Sequence, residues 1–177
     1  MMGPGQDKQP AAEKGVIIRP GVKQDAAAIH AMVRALAVEI GEGHKVTSQP
    51  ADFERLGFGV QPAFESLVAE RDRQPVGLCL YFYSFSSWRG MPGIYLQDIY
   101  VAASERGTGL GRKLIAETAQ RAALNGAEFL RLSVDETNRE AIDFYQALGL
   151  RYMANENIFM ATGDDFHALE EICGDDR

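Results

Sequence analysis

The chain has 177 residues, of which 46% are hydrophobic and 24% charged, and a net charge of −7. That length suits one domain with a sizeable core, and the acidic balance speaks against nucleic acid as a partner while suiting a cationic small molecule. No apolar run is long enough to span a bilayer, and the N-terminus lacks the apolar stretch of a secretory signal, so a cytoplasmic protein with no membrane partner is expected.

Residues 1–14 are polar, rich in Gly and Pro and without periodicity; they are expected to form a tail, leaving 15–177 as a single domain. Val16 to Arg19 reads as a short strand, stopped by Pro20-Gly21. Asp25 is placed to cap a helix reaching Ile40, whose apolar residues Ile29, Met32, Val33, Leu36, Ala37 and Ile40 fall along one face. Gly41, Gly43 and Pro50 break the next segment, with room for a short helix over Ala51 to Arg55. Strands follow at Ser66 to Glu70 and Val76 to Phe85, around the charged turn Arg71 to Pro75. The second strand contains Cys79, expected to pack as a small hydrophobe. The loop Ser86 to Gly93 leads into a strand over Ile94 to Val101.

Behind that strand, after Ala102 to Glu105, comes Arg106-Gly107-Thr108-Gly109-Leu110-Gly111-Arg112-Lys113-Leu114. Glycines let such a loop turn tightly and expose its amides. The helix behind it adds unpaired N–H groups and a positive dipole end, which together suit a pyrophosphate. A Walker loop requires Gly-Lys-Ser/Thr, but Gly111 is followed by Arg112-Lys113-Leu114. A dinucleotide fingerprint requires Gly-x-Gly-x-x-Gly, whereas Gly107, Gly109 and Gly111 are spaced Gly-x-Gly-x-Gly, although Asp135 does lie at the end of the next predicted strand. A glycine-rich turn without a ligand is the remaining alternative.

The helix from Gly109 to Leu124 ends at Asn125-Gly126, and Phe129 to Val134 reads as a strand. Asn138 can cap a helix to Leu148 with Gly149 as its stop, and Tyr152 to Ala161 is expected to form the last strand. Hairpin-connected strands in the middle and strand–helix–strand units at the end imply an α/β (α+β) fold, a central mixed sheet flanked by helices. Cys79, Cys173, His30, His44 and His167 are scattered, so no metal is expected.

The spacing Arg106-x-x-Gly109-x-Gly111 after its strand resembles the acyl-CoA motif of the GNAT superfamily of N-acetyltransferases. Asn138-x-x-Ala141-x-x-Phe144-Tyr145 resembles that family's second signature. Phe58, Trp88-Arg89-Gly90, Ile94 to Val101 and Ala141 to Tyr145 are similar to its diamine branch, the spermidine/spermine and thialysine acetyltransferases. Over 15–161 the resemblance implies the GNAT acyltransferase fold and acetyl-CoA as co-substrate. It also implies a homodimer and direct acetyl transfer to a small amine: a diamine, a thialysine-like amino acid or a polyamine. It puts the backbone of Ile99, Tyr100 and Val101 along the pantetheine arm and the segment Arg106, Gly107, Thr108, Gly109, Leu110, Gly111 and Arg112 at the pyrophosphate. Asn138 falls near the pantetheine or the cap of its helix. Tyr145, read from the residues alone as a core aromatic, becomes the proton donor to the leaving sulfur.

The diamine branch has Glu where this chain has Gln97, which can neither take a proton at neutral pH nor attract a cation by charge. Asp98, Glu39 and Glu42 are the substitutes within reach in sequence, and Trp88 is expected either to wall the acceptor pocket or to pack beneath its loop. Aminoglycoside or protein amino groups are the alternative acceptors. A non-catalytic acyl-CoA-binding domain and an NAD-binding module are the alternative classes.

Overall fold

The computed structural model describes residues 15–171, so the expected tail over 1–14 and Cys173 lie outside the described residues. The chain divides into two compact units at Ser133/Val134. The first holds a five-stranded sheet in the order β1-β2-β3-β4-β5. Its strands are β1 (Ile17–Pro20), β2 (Glu65–Arg71), β3 (Gln74–Ser86), β4 (Met91–Val101) and β5 (Leu130–Arg131). The first four pair antiparallel and β4 pairs β5 in parallel, the mixed sheet expected from the order of elements.

Helices cover both faces of this sheet. On one lie α1 (Ala26–Glu39) and α2 (Pro50–Gly57). Ile29 and Met32 of α1 bury against Val68, Leu78 and Leu80, with Phe53, Phe58, Phe64 and Tyr100 packed around them. Each such aliphatic side chain contributes roughly 1.5–3 kcal/mol by leaving water. The other face carries α3 (Leu110–Leu124), whose Leu110, Leu114, Thr118 and Ala122 are buried. Gly77 in β3 makes room for it. A Cβ there would stand 3.1 Å from Leu114 Cδ1 and 3.2 Å from the Ala69 Cβ.

Asp25 does something other than cap α1. Its carboxylate receives both guanidinium arms of Arg19, at 2.6 and 2.9 Å, and the Val22 amide at 2.8 Å. Arg19 also donates to Glu70 in β2. Hydrogen bonds from a paired guanidinium outcompete helix amides for a carboxylate. They hold the Asp25 carboxyl below its usual range.

The second unit holds α4 (Arg139–Ala147) and α5 (Asp164–Glu171). Asn138 caps α4 as expected, its side-chain oxygen accepting from the Ala141 amide at 3.1 Å. The expected strand over Tyr152 to Ala161 is absent: the segment is irregular, with a turn at Ala154-Asn155. Tyr152, Ile158, Phe159 and Met160 are exposed. Asn155-Glu156-Asn157 interrupts the apolar run with turn-forming residues, and among the described residues no ladder partner satisfies the backbone there. The strand expected over Phe129 to Val134 shortens to Leu130–Arg131, paired only with Ile94 and Tyr95 of β4. Helix α5 was not anticipated, although Asp164 and Asp165 in its first turn suit the positive end of a helix dipole.

Candidate active site

Strand β4 carries the feature on which the site is built. Leu80 of β3 pairs with Asp98 and Tyr81 pairs with Leu96, so Gln97 is an extra residue, bulged out of the ladder. A bulge bends its strand and re-aims the side chains beside it. On the other edge β4 pairs with β5 only at Ile94 and Tyr95. From Leu96 to Val101 that edge has no ladder partner among the described residues, leaving backbone donors and acceptors for another extended chain. Ile99, Tyr100 and Val101 lie on this open stretch.

The strand runs into the glycine loop through a 3-10 turn, Ala103–Glu105. Gly107 and Gly109 stand at φ +75° and +83°, and Gly109 is the cap of α3. No side chain caps this helix, so the amides at its start are aimed outward, as an anion site requires. Thr108 turns its hydroxyl onto the Glu105 carbonyl at 2.7 Å, away from a ligand role through that oxygen. The buried Glu105 carboxylate is gripped by Arg71 at the end of β2, Nε at 2.6 Å and Nη2 at 2.9 Å. This clamp escaped the sequence reading because its partners lie 34 residues apart and no local pattern signals them.

The acidic candidates differ in their surroundings. Asp98 shares a sheet face with its cross-strand partner Leu80, which is buried against α1. Burial pushes its carboxyl above the usual carboxylate range. Gln97 is exposed beside it. Glu39, the last residue of α1, is paired with Arg106: Nη2 stands 2.5 Å from Oε2, and Arg106 Nε donates to the Val101 carbonyl at 3.1 Å. Glu42 pairs with Lys45 one turn on. Trp88 is 100% exposed at the turn between β3 and β4, so it does not pack beneath its loop.

In the second unit, Tyr145 is half-buried on α4, its ring 5.3 Å from that of Phe144. Asn138 spends its side-chain oxygen on the α4 cap, which fits the capping half of its expected role.

A thialysine N-epsilon-acetyltransferase of Bos taurus is 34% identical, over 90% of this chain and 98% of that one. The enzyme of the same name from Mus musculus is 32% identical over 89% and 96%. An integron cassette protein of V. cholerae superposes with a TM-score of 0.75 at 19% identity, covering 88% of this chain and 98% of that one, a likeness of fold. The model of the acetyltransferase (GNAT) family matches residues 29–150, and the chain belongs to that family.

Proposed function

We propose that this acetyltransferase uses acetyl-CoA and transfers the acetyl group directly to a small amine with a second polar or charged end, of the diamine or thialysine type. The observation that carries this reading is the open edge of β4 running from Leu96 to Val101 straight into the outward-facing amides of the glycine loop. An extended pantetheine arm can add to that edge as a strand would, with Ile99, Tyr100 and Val101 supplying backbone partners. The pyrophosphate then meets the loop from Arg106 to Arg112. Relatives named for thialysine support the acceptor class.

The chemistry sets two demands. An alkyl amine has a pKa of about 10, so roughly one molecule in a thousand is neutral at pH 7, a handicap of about 4 kcal/mol. With Gln97 unable to take a proton, the half-buried carboxylate of Asp98, directly or through water, is the group assigned to that task, since a raised pKa brings a carboxylate closer to a useful base. The leaving thiolate, of pKa near 8.5 in water, gains a proton from the Tyr145 phenol. A β4 amide beside the bulge, that of Ile99 or a neighbour, stabilises the oxyanion of the tetrahedral intermediate. No residue in this scheme calls for a metal. The same reading takes the protein as a cytoplasmic homodimer.

Calorimetry with coenzyme A and acetyl-CoA tests the coenzyme. Labelled acetyl transfer across diamines, thialysine, ornithine, polyamines, aminoglycosides and peptide amines tests the acceptor. Tyr145→Phe should keep coenzyme binding and lower turnover ten-fold or more; unchanged turnover removes Tyr145 from the acid role.

A further inference from the structure

Arg106 is held by two groups, one on the β4 stretch given to the coenzyme arm and the other an acidic residue already named as a substitute for the missing charge at Gln97. Its Nε donates to the Val101 carbonyl at 3.1 Å, on the stretch of β4 given to the coenzyme arm. Its Nη2 lies 2.5 Å from Glu39, a carboxylate at the C-terminal end of α1. Both side chains are partly exposed, 48% and 38%, so neither is locked in place by packing. One guanidinium thus holds a backbone acceptor on the coenzyme stretch and a carboxylate of α1 at once.

We infer that this contact is a latch coupling the two substrates, and that Glu39 is the carboxylate that receives the acceptor's second cation. The inference rests on the coenzyme reading. When the coenzyme diphosphate arrives at the loop that begins with Arg106, it offers the guanidinium a doubly charged partner in place of one carboxylate. Arg106 turns onto the phosphate, the Val101 carbonyl becomes free for the pantetheine amide, and Glu39 loses its internal counter-charge. A carboxylate so exposed attracts a cation, so the amine binds better after the coenzyme than before it. By linkage, the amine favours the coenzyme by the same factor. The latch is weak by construction: an exposed ion pair is worth at most about a five-fold change in an equilibrium constant, which a diphosphate readily overcomes.

Glu39 acts twice in this scheme, against the coenzyme and for the amine, and that gives a signature a merely structural residue would not produce. In Glu39→Gln, coenzyme A binding by calorimetry should tighten two- to five-fold. The KM for 1,3-diaminopropane at saturating acetyl-CoA should rise at least five-fold, while that for propylamine moves less than two-fold. The tightening should vanish when Glu39→Gln is made in an Arg106→Gln background, because the effect passes through the guanidinium. Coenzyme affinity that is unchanged or weaker in Glu39→Gln overturns the latch. So does an equal tightening in the Arg106→Gln background, which would mark simple charge repulsion, or a diamine KM that does not move. A wild-type protein that takes up no coenzyme A at all sinks the coenzyme reading and the latch with it, an outcome distinct from the others.

Discussion

At Gly109 the backbone stands at φ +83°, and a Cβ built there meets no atom within 4 Å. Conformation rather than space therefore dictates glycine. Gly109→Ala should cost about 1–2 kcal/mol of unfolding free energy, read by urea denaturation. A variant as stable as the wild type would mean that the loop relaxes into another conformation. Asp98 is constrained in the opposite sense, by surroundings that disfavour its charge. A carboxyl whose folded pKa is raised favours folding at low pH and loses that contribution as pH climbs through the folded value. Asp98→Asn should therefore melt above the wild type at pH 7, and the gap should close as pH falls below the ordinary carboxylate range. Equal melting temperatures at pH 7, or a gap that widens on acidification, would contradict the burial argument. If Asp98 also draws the proton from the amine, the same variant gains stability and loses turnover, as a strained catalytic group should.

Among elements, α3 packs closely on the sheet where Gly77 leaves no room for a side chain. Gly77→Val would force its side chain against Leu114 and Ala69, at a cost of about 1–3 kcal/mol in thermal or chemical denaturation. That contact matters for function because Leu110 and Leu114, which sit over Gly77, fix the first turns of α3 and hence the direction of the loop amides. What was legible in sequence follows the range of the forces involved. The helices α1, α3 and α4 were readable because their periodicity and stop signals are local. The strands β2, β3 and β4 were readable because a charged turn and a loop separate runs of apolar and β-branched residues. The span Tyr152 to Ala161 carries a strand-like composition too, but composition does not supply a ladder partner, and the segment stays irregular. Asp25 carries a capping residue's chemistry, yet Arg19 claims its carboxylate.

For the molecule as a whole, the glycine loop and the α4 signature were visible because each is a contiguous motif whose spacing is set by backbone geometry. The bulge at Gln97, the open edge of β4, the Arg71–Glu105 clamp and the Glu39–Arg106 pair were not, since each arises from pairing between distant segments. The same contrast between locally held and unheld backbone predicts where the chain is weakest. Tyr152 and Phe159 are exposed on backbone outside any helix or strand, whereas the equally exposed Trp88 sits in a tight turn whose flanking strands are tied by a ladder from Gly77↔Val101 to Ser86↔Met91. A protease must draw an extended segment into its cleft, so cleavage follows local opening rather than side-chain exposure alone. Brief chymotrypsin treatment, followed by intact mass measurement, should therefore cut first after Tyr152 or Phe159 and leave the bond after Trp88 whole. An initial cut at Trp88 would mean that the β3–β4 turn opens more readily than a segment with no ladder at all.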